Sequence, residues 1–204
     1  MKTARAAIKT KNFHAVIELC TEVIAKEPRN GDAYLTRGIA LEWLDKSAAA
    51  AADFDKGLNL TTPQSAVFFE QAANAYNDTH QTQKALKILD DGIRTHPASI
   101  LFRNKGQILW QLGKQAESLE CFEKAIKFDP KEYWIYADRA NCYVQMKNWK
   151  SALADLNTMA KLRPTEPRTY AQRARVYEII GERKNAAKDR AKAKELSKDA
   201  WFEP

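Results

Sequence analysis

The chain lacks the features that would mark a membrane span, a disulfide scaffold or a metal enzyme. No stretch of its 204 residues approaches the roughly 18 to 20 consecutive apolar positions that a spanning helix requires, so no membrane contact is expected. The opening MKTARAAIKTKN is basic, but no apolar block follows it. It therefore does not read as a secretory signal, and the expected location is the cytoplasm. Cysteine is scarce. Cys20, Cys121 and Cys142 are odd in number, far apart and set in apolar helical pattern, which suits small core side chains in a reducing compartment better than ligands. Histidine is equally rare: His14, His80 and His96 lie in or near different turns, without a cysteine, serine or carboxylate at a spacing that recurs in a catalytic site. No phosphate loop or metal-ligand pair appears. The expectation is no catalysis, no metal and no cofactor.

What is present is a core-forming and soluble composition, 45% hydrophobic and 29% charged, with a period running through it. Glycine and proline number only seven each, yet the prolines keep a beat: Pro28, Pro63, Pro97, Pro130 and Pro164 stand 33 to 35 residues apart. Between beats the apolar residues follow helical spacing. In 99–132, Phe102, Gly106 and Leu109 fall at i, i+4 and i+7 of one helix, Gly113 breaks it, and Ser118, Phe122 and Ala125 repeat the spacing before Asp129-Pro130 ends a second helix. Each unit is thus an antiparallel helix pair that cannot bury its apolar stripe alone. Neighbouring units must stack.

Aligned on this period, the fourth place of the unit holds Tyr34, Phe69, Phe102, Tyr136 and Tyr170, and the eighth holds Gly38, Ala73, Gly106, Ala140 and Ala174. The eleventh holds Leu41, Tyr76, Leu109, Tyr143 and Tyr177, and the twentieth holds Val16, Ala50, Ala85, Ser118, Ala152 and Ala186. Large meets small in register. These columns resemble the tetratricopeptide repeat (TPR) family along nearly the whole chain. The resemblance implies an all-α fold, a right-handed superhelix of about six repeats forming a single solenoid over 1–204. A truncated repeat occupies 1–30, repeats follow at 31–65, 66–98, 99–132 and 133–166, and a terminal repeat with a capping tail fills 167–204. About twelve helices and no strands are expected. Arg190, where Phe54, Leu89, Phe122 and Leu156 stand in the others, reads as the polar face of a cap.

The resemblance also implies a site. In such proteins the second, fifth, ninth, twelfth and thirteenth places of the first helix line a concave face that holds extended peptides. Here they supply Asn74, Asn77, Arg103, Gln107, Trp110, Gln111, Trp134, Asn141, Gln145, Arg168 and Arg175. Amides can serve a peptide backbone, Arg can fork onto a carboxylate, and Trp can anchor apolar contact. Trp43 lies on the same stripe, whereas Phe13 and Trp149 occupy a packing place between paired helices. A chaperone-tail clamp is not expected, because Asp138 and Gln172 replace the clamp's Asn and Arg. The expected function is a protein-interaction scaffold or adaptor that binds a peptide or partner protein, or another copy of itself.

The net charge of +7 points to a second surface. Residues 1–98 hold 12 basic and 12 acidic side chains, while 163–198 hold 11 against 5. Lys184, Lys188 and Lys192 form one i, i+4 ladder and Arg190, Lys194 and Lys198 another, with only Glu182, Asp189 and Glu195 nearby to offset the repulsion. The alternative reading is therefore a helical-repeat protein that binds nucleic acid or an acidic surface through this basic end, with Trp201 and Phe202 beside it. Nucleic acid is not the favoured partner, because RNA-reading repeats present a regular set of base-contacting side chains and the inner residues here vary between repeats.

Overall fold

The computed structural model describes residues 12–63 and 65–199, with side chains as far as 197. Among these residues there are eleven helices and no strand. In chain order they are α1 (Phe13–Lys26), α2 (Gly31–Glu42), α3 (Ser47–Leu60), α4 (Ala66–Asp78), α5 (Thr82–Thr95), α6 (Ser99–Gln111), α7 (Gln115–Phe128), α8 (Tyr133–Gln145), α9 (Trp149–Leu162), α10 (Pro167–Ile179) and α11 (Arg183–Asp199). The helix expected before Asn12 lies outside the described residues. The chain divides into two compact units, Met1–Ile108 and Leu109–Pro204.

Two local devices recur along the chain. Side chains cap several helix starts: Asn30 accepts from the Ala33 N–H at 3.1 Å and Asn148 from the Ser151 N–H at 3.2 Å, relieving donors that lack an intrahelical partner. The turn between the two helices is built identically each time. Its fifteenth place, filled by Asp45, His80, Gly113, Lys147 and Gly181, has φ between 55° and 82°. The next N–H then reaches back to the carbonyl of the eleventh place, as in Lys46 to Leu41, Gln81 to Tyr76, Lys114 to Leu109, Asn148 to Tyr143 and Glu182 to Tyr177, at 2.7–2.9 Å. This is the six-to-one bond of a Schellman turn, which needs a left-handed residue. His80 is thus accounted for by its backbone rather than by chemistry of its ring.

In the first unit the core runs through Leu35, Phe54, Phe69, Tyr76, Leu89 and Leu101, with alanines at the close crossings. Gly92 is one of these crossings, since a Cβ there would sit 2.7 Å from Phe69. Tyr76 is fully buried and its hydroxyl donates to Asp55 at 2.6 Å; burial, reinforced by that bond, pushes its pKa well above the ordinary value. In the second unit Tyr133, Tyr136, Ala137 and Ala140 of α8 pack with Leu156 and Met159 of α9, and Val176 of α10 closes the cluster.

An ion pair that the sequence reading did not single out recurs across the paired helices. Arg37, Arg139 and Arg173, each at the seventh place, fork onto Asp53, Asp155 and Asp189 sixteen residues later, with Nε and Nη2 at 2.6–2.9 Å from the two carboxylate oxygens. Two of these arginines also reach backwards by sixteen residues, Arg37 to Thr21 Oγ1 at 3.0 Å and Arg173 to Asn157 Oδ1 at 2.8 Å. They therefore tie the second helices of consecutive repeats through one first helix. Asp189, expected to soften the lysine ladder at the surface, is buried and belongs to this fork instead. The remaining full repeats carry Ala72 with Ile88 and Lys105 with Cys121 at the two places.

Asp155→Ala strands a guanidinium whose side chain is 17% exposed, and should cost about 3 kcal/mol in urea unfolding. Arg139→Ala combined with Asp155→Ile, the pair that stands at 72 and 88, should recover most of that loss; a double variant no better than the single would remove the fork from the stability argument. At the turns, nothing lies within 4 Å of a Cβ built on Gly113, so Gly113→Ala should cost about 1 kcal/mol from backbone strain alone. Lys147→Gly should stabilise by up to about 1 kcal/mol in the same assay.

Candidate peptide-binding face

The stripe falls on the first helices of the repeats, and each unit presents its own portion. In the first unit α4 carries Asn74 and Asn77 while α6 carries Arg103 and Gln107, all partly exposed. Asn104, buried at 8% exposure, donates its amide to Asn74 Oδ1 at 3.2 Å. Glu70, one turn before Asn74, has its pKa raised by burial, with the nearby Arg103 charge acting in the opposite direction. Trp43 is 58% exposed and stacks on Phe13 with centroids 5.7 Å apart and planes 1° from parallel, so part of its surface belongs to a pair with α1.

In the second unit α6 contributes Trp110 and Gln111, α8 contributes Trp134, Asn141 and Gln145, and α10 contributes Arg168 and Arg175. The indole N–H of Trp110 donates to Gln145 Oε1 at 3.2 Å, bringing these two residues together. Asn141 Oδ1 accepts from Gln172 Nε2 at 3.5 Å. The same pairing thus occurs in both units: the ninth place of one repeat accepts an amide from the sixth place of the next, Asn74 from Asn104 and Asn141 from Gln172. Gln172, which departs from the chaperone clamp, has this role instead.

Trp134 is 43% exposed and sits in an aromatic corner. Its ring meets Tyr133 edge-on at 5.0 Å, and the Arg163 guanidinium lies 5.4 Å from the Trp134 centroid and 4.7 Å from that of Tyr133. The Tyr133 hydroxyl is held by Thr169 Oγ1 at 2.8 Å, so the corner rests on a buried hydrogen bond between α8 and α10. Sequence spacing missed Arg163, because it lies in the turn after α9, outside any helical stripe. Its signal is the cation before Pro164, at the end of the repeat, where it folds back over the first helix of the same repeat.

At the basic end, Lys184, Lys188, Arg190 and Lys194 are exposed. Arg190 pairs with Glu178, and Lys192 with Glu195 at 2.8 Å. The side chain of Lys198, and Trp201 with Phe202, lie outside the described residues. Among the described residues no group of three or more His, Cys, Asp or Glu could hold a metal ion, and no helix is long and apolar enough to cross a membrane.

Stacked helix pairs with large-to-small crossings, a left-handed turn at a fixed place and a period near 34 residues define a TPR solenoid protein. Residues 7–186 match the ChAPs family, the Chs5p-Arf1p-binding proteins, and the chain belongs to that family. It has the fold of the C-terminal part of a TPR repeat-containing protein from Cytophaga hutchinsonii, with a TM-score of 0.81 and 17% identity over 98% of this chain and 80% of that one. YrrB, described as a TPR protein with an unusual peptide-binding site, superposes with a TM-score of 0.68 and 18% identity, covering 90% of this chain and 94% of its own. In sequence, the chain is 30% identical over 111 residues to RNA polymerase II-associated protein 3 of Mus musculus, which is 54% of this chain and 17% of that protein. The chain spans 17% to 22% of the length of the first curated relatives it matches.

The three cysteines are buried and free. Burial pushes the Cys20 thiol up to about 11 and the Cys142 thiol up to about 12, from an ordinary 9.0. A folded pKa above the unfolded one gives stability that is fully present below pH 9.0 and is lost as pH rises through 11 to 12. Alkylation by iodoacetamide near neutral pH should therefore follow the rate of unfolding. Labelling of Cys20 or Cys142 as fast as a free thiol would contradict this placement.

Proposed function

We propose that this chain is a protein-interaction module that holds an extended segment of a partner along the first helices of its repeats. The observation that carries the reading is Trp134: a large aromatic left 43% exposed, with Tyr133 edge-on to its ring and the Arg163 guanidinium over it. A preorganised aromatic adds contact area with little entropy left to lose, which is the profile of an interface anchor. Around it in the second unit, Asn141, Gln145, Gln111 and Trp110 offer donors and acceptors for a peptide main chain, and Arg168 and Arg175 offer forked donors for acidic groups. In the first unit Asn74, Asn77, Arg103 and Gln107 supply the same chemistry. The likeness in fold to YrrB, a protein described by its peptide-binding site, supports the class of ligand. The family's name, for binding Chs5p and Arf1p, makes those two proteins the first partners to assay.

The test needs no prior partner. Peptides selected from a displayed random library on the purified chain should lose at least tenfold in affinity, ~1.4 kcal/mol, when Trp134 is changed to Ala. Asn141→Ala should cost less, because its oxygen already accepts from Gln172. Selected peptides that bind the Trp134→Ala chain as tightly as the parent, and that shift resonances of the second helices instead, would overturn the reading.

A further inference from the structure

The charge of the last repeat is more lopsided in the fold than in the count. Between Glu166 and Ser197 every carboxylate is engaged within the repeat: Glu166 accepts from the Arg168 N–H, Glu178 meets Arg190, Glu182 accepts from Asn185, Asp189 is forked by Arg173 and Glu195 meets Lys192. The cations outnumber them. Among the described residues, Arg168, Arg175, Arg183, Lys184, Lys188 and Lys194 are exposed and no carboxylate engages them.

Four cations border one seam. Two shallow clefts lie between α10 and α11, one of ≈ 360 Å³ lined by Glu178, Arg183, Ala186, Ala187 and Arg190, the other of ≈ 340 Å³ whose lining includes Arg168, Ala171, Ala193 and Lys194. Their register is informative. One repeat earlier, the equivalent residues Trp149, Leu153, Leu156, Met159 and Ala137 form the apolar seam into which Val176 of the following first helix packs. At the α10/α11 seam the same places hold Arg183, Ala187, Arg190, Ala193 and Ala171, and Ala160 is replaced by Lys194. The α10/α11 seam stands at the register where the preceding seam receives the following first helix. Its apolar knobs have become a floor of alanines, with Arg183 and Arg190 at one end and Arg168 and Lys194 at the other.

We infer that the α10/α11 seam docks an acidic peptide segment of a partner protein. Small floor residues admit backbone and short side chains closely, and carboxylates of the incoming segment meet Arg168, Arg183 and Lys194, which no carboxylate of the repeat engages, beside an Arg190 already paired with Glu178. The lysine ladder of Lys184 and Lys188 lies on the opposite flank of α11 and steers approach without touching the docked segment. Arg168 borders both this seam and the first-helix face, but Arg183 and Lys194 belong to the seam alone, so either proposal can fail without the other.

The experiment compares equal charge changes at two places. Binding of a fluorescein-labelled glutamate–alanine peptide is measured by anisotropy at physiological ionic strength on the parent chain, on Arg183→Glu with Lys194→Glu, and on Lys184→Glu with Lys188→Glu, each checked for helicity by circular dichroism. The seam variant should lose at least about tenfold and the ladder variant about twofold or less. Arg183→Gln with Lys194→Gln, which removes charge without reversing it, should still lose about fivefold and serves if the reversed pair does not fold. Equal losses in both variants would mean diffuse attraction and overturn the docking site. So would absence of binding to the parent, or displacement of the peptide by a single-stranded oligonucleotide at lower concentration than by unlabelled peptide.

Discussion

Each element of this molecule depends on the seam where the first helix of a repeat lies against the second. A lone helix of the 12 to 14 residues that all but the last of the described helices have is marginal in water, and these helices persist because a large residue at the fourth place and a small one at the eighth let two backbones approach and bury a common stripe. The arginine fork adds register to that burial. Hydrophobic contact tolerates sliding, whereas two parallel N–H···O bonds from Arg139 to Asp155 tolerate almost none. A fork of this kind need not add net stability over an apolar pair, and the Ala72/Ile88 repeat does without it. What the fork fixes is the angle at which first-helix residues meet solvent, and therefore the direction in which Trp134 and Asn141 point.

Much of this was legible because helical period and repeat period reinforce one another. The first helices begin at Gly31, Ala66, Ser99, Tyr133 and Pro167, the same residues at which the large/small columns restart. The turns were legible only where glycine marks them. Gly113 announces its left-handed backbone, whereas Asp45, His80 and Lys147 adopt the same conformation with side chains that do not advertise it. The Arg–Asp spacing of sixteen was present in the letters, but it spans a turn and belongs to no single helical face, so patterning within helices passes over it. Charge shows the deepest limit. Counting treats Asp189 as a surface counter-ion, and only the fold reveals that it is buried under Arg173 and unavailable to its lysine neighbours.

The candidate face divides in the same way. Its residues are recoverable from position along the first helices, and the structure leaves all of them with some exposure. Their engagement is not recoverable, since it depends on contacts beyond a single helix: the Asn74–Asn104 and Asn141–Gln172 amides and the Trp110–Gln145 bond between repeats, and Arg163 arriving from a turn of the same repeat. Residues that look interchangeable in a stripe thus differ in freedom. Arg168 and Arg175 are uncommitted, Trp134 is flanked by Tyr133 and Arg163, and Asn141 is half used.

The uneven distribution of the arginine fork has a consequence for motion. In an array where each repeat touches only its neighbours, stability is a sum of local terms, and opening begins where the sum is smallest. Arg37 and Arg173 each form a latch that reaches both sides of a first helix, Arg139 latches one side, and the repeat of Ala72 and Ile88 carries none. Amide protons of α4 and α5 should then exchange with solvent through smaller, more frequent openings than those of α8 and α9, so that the chain breathes from within one of its units rather than only from its ends.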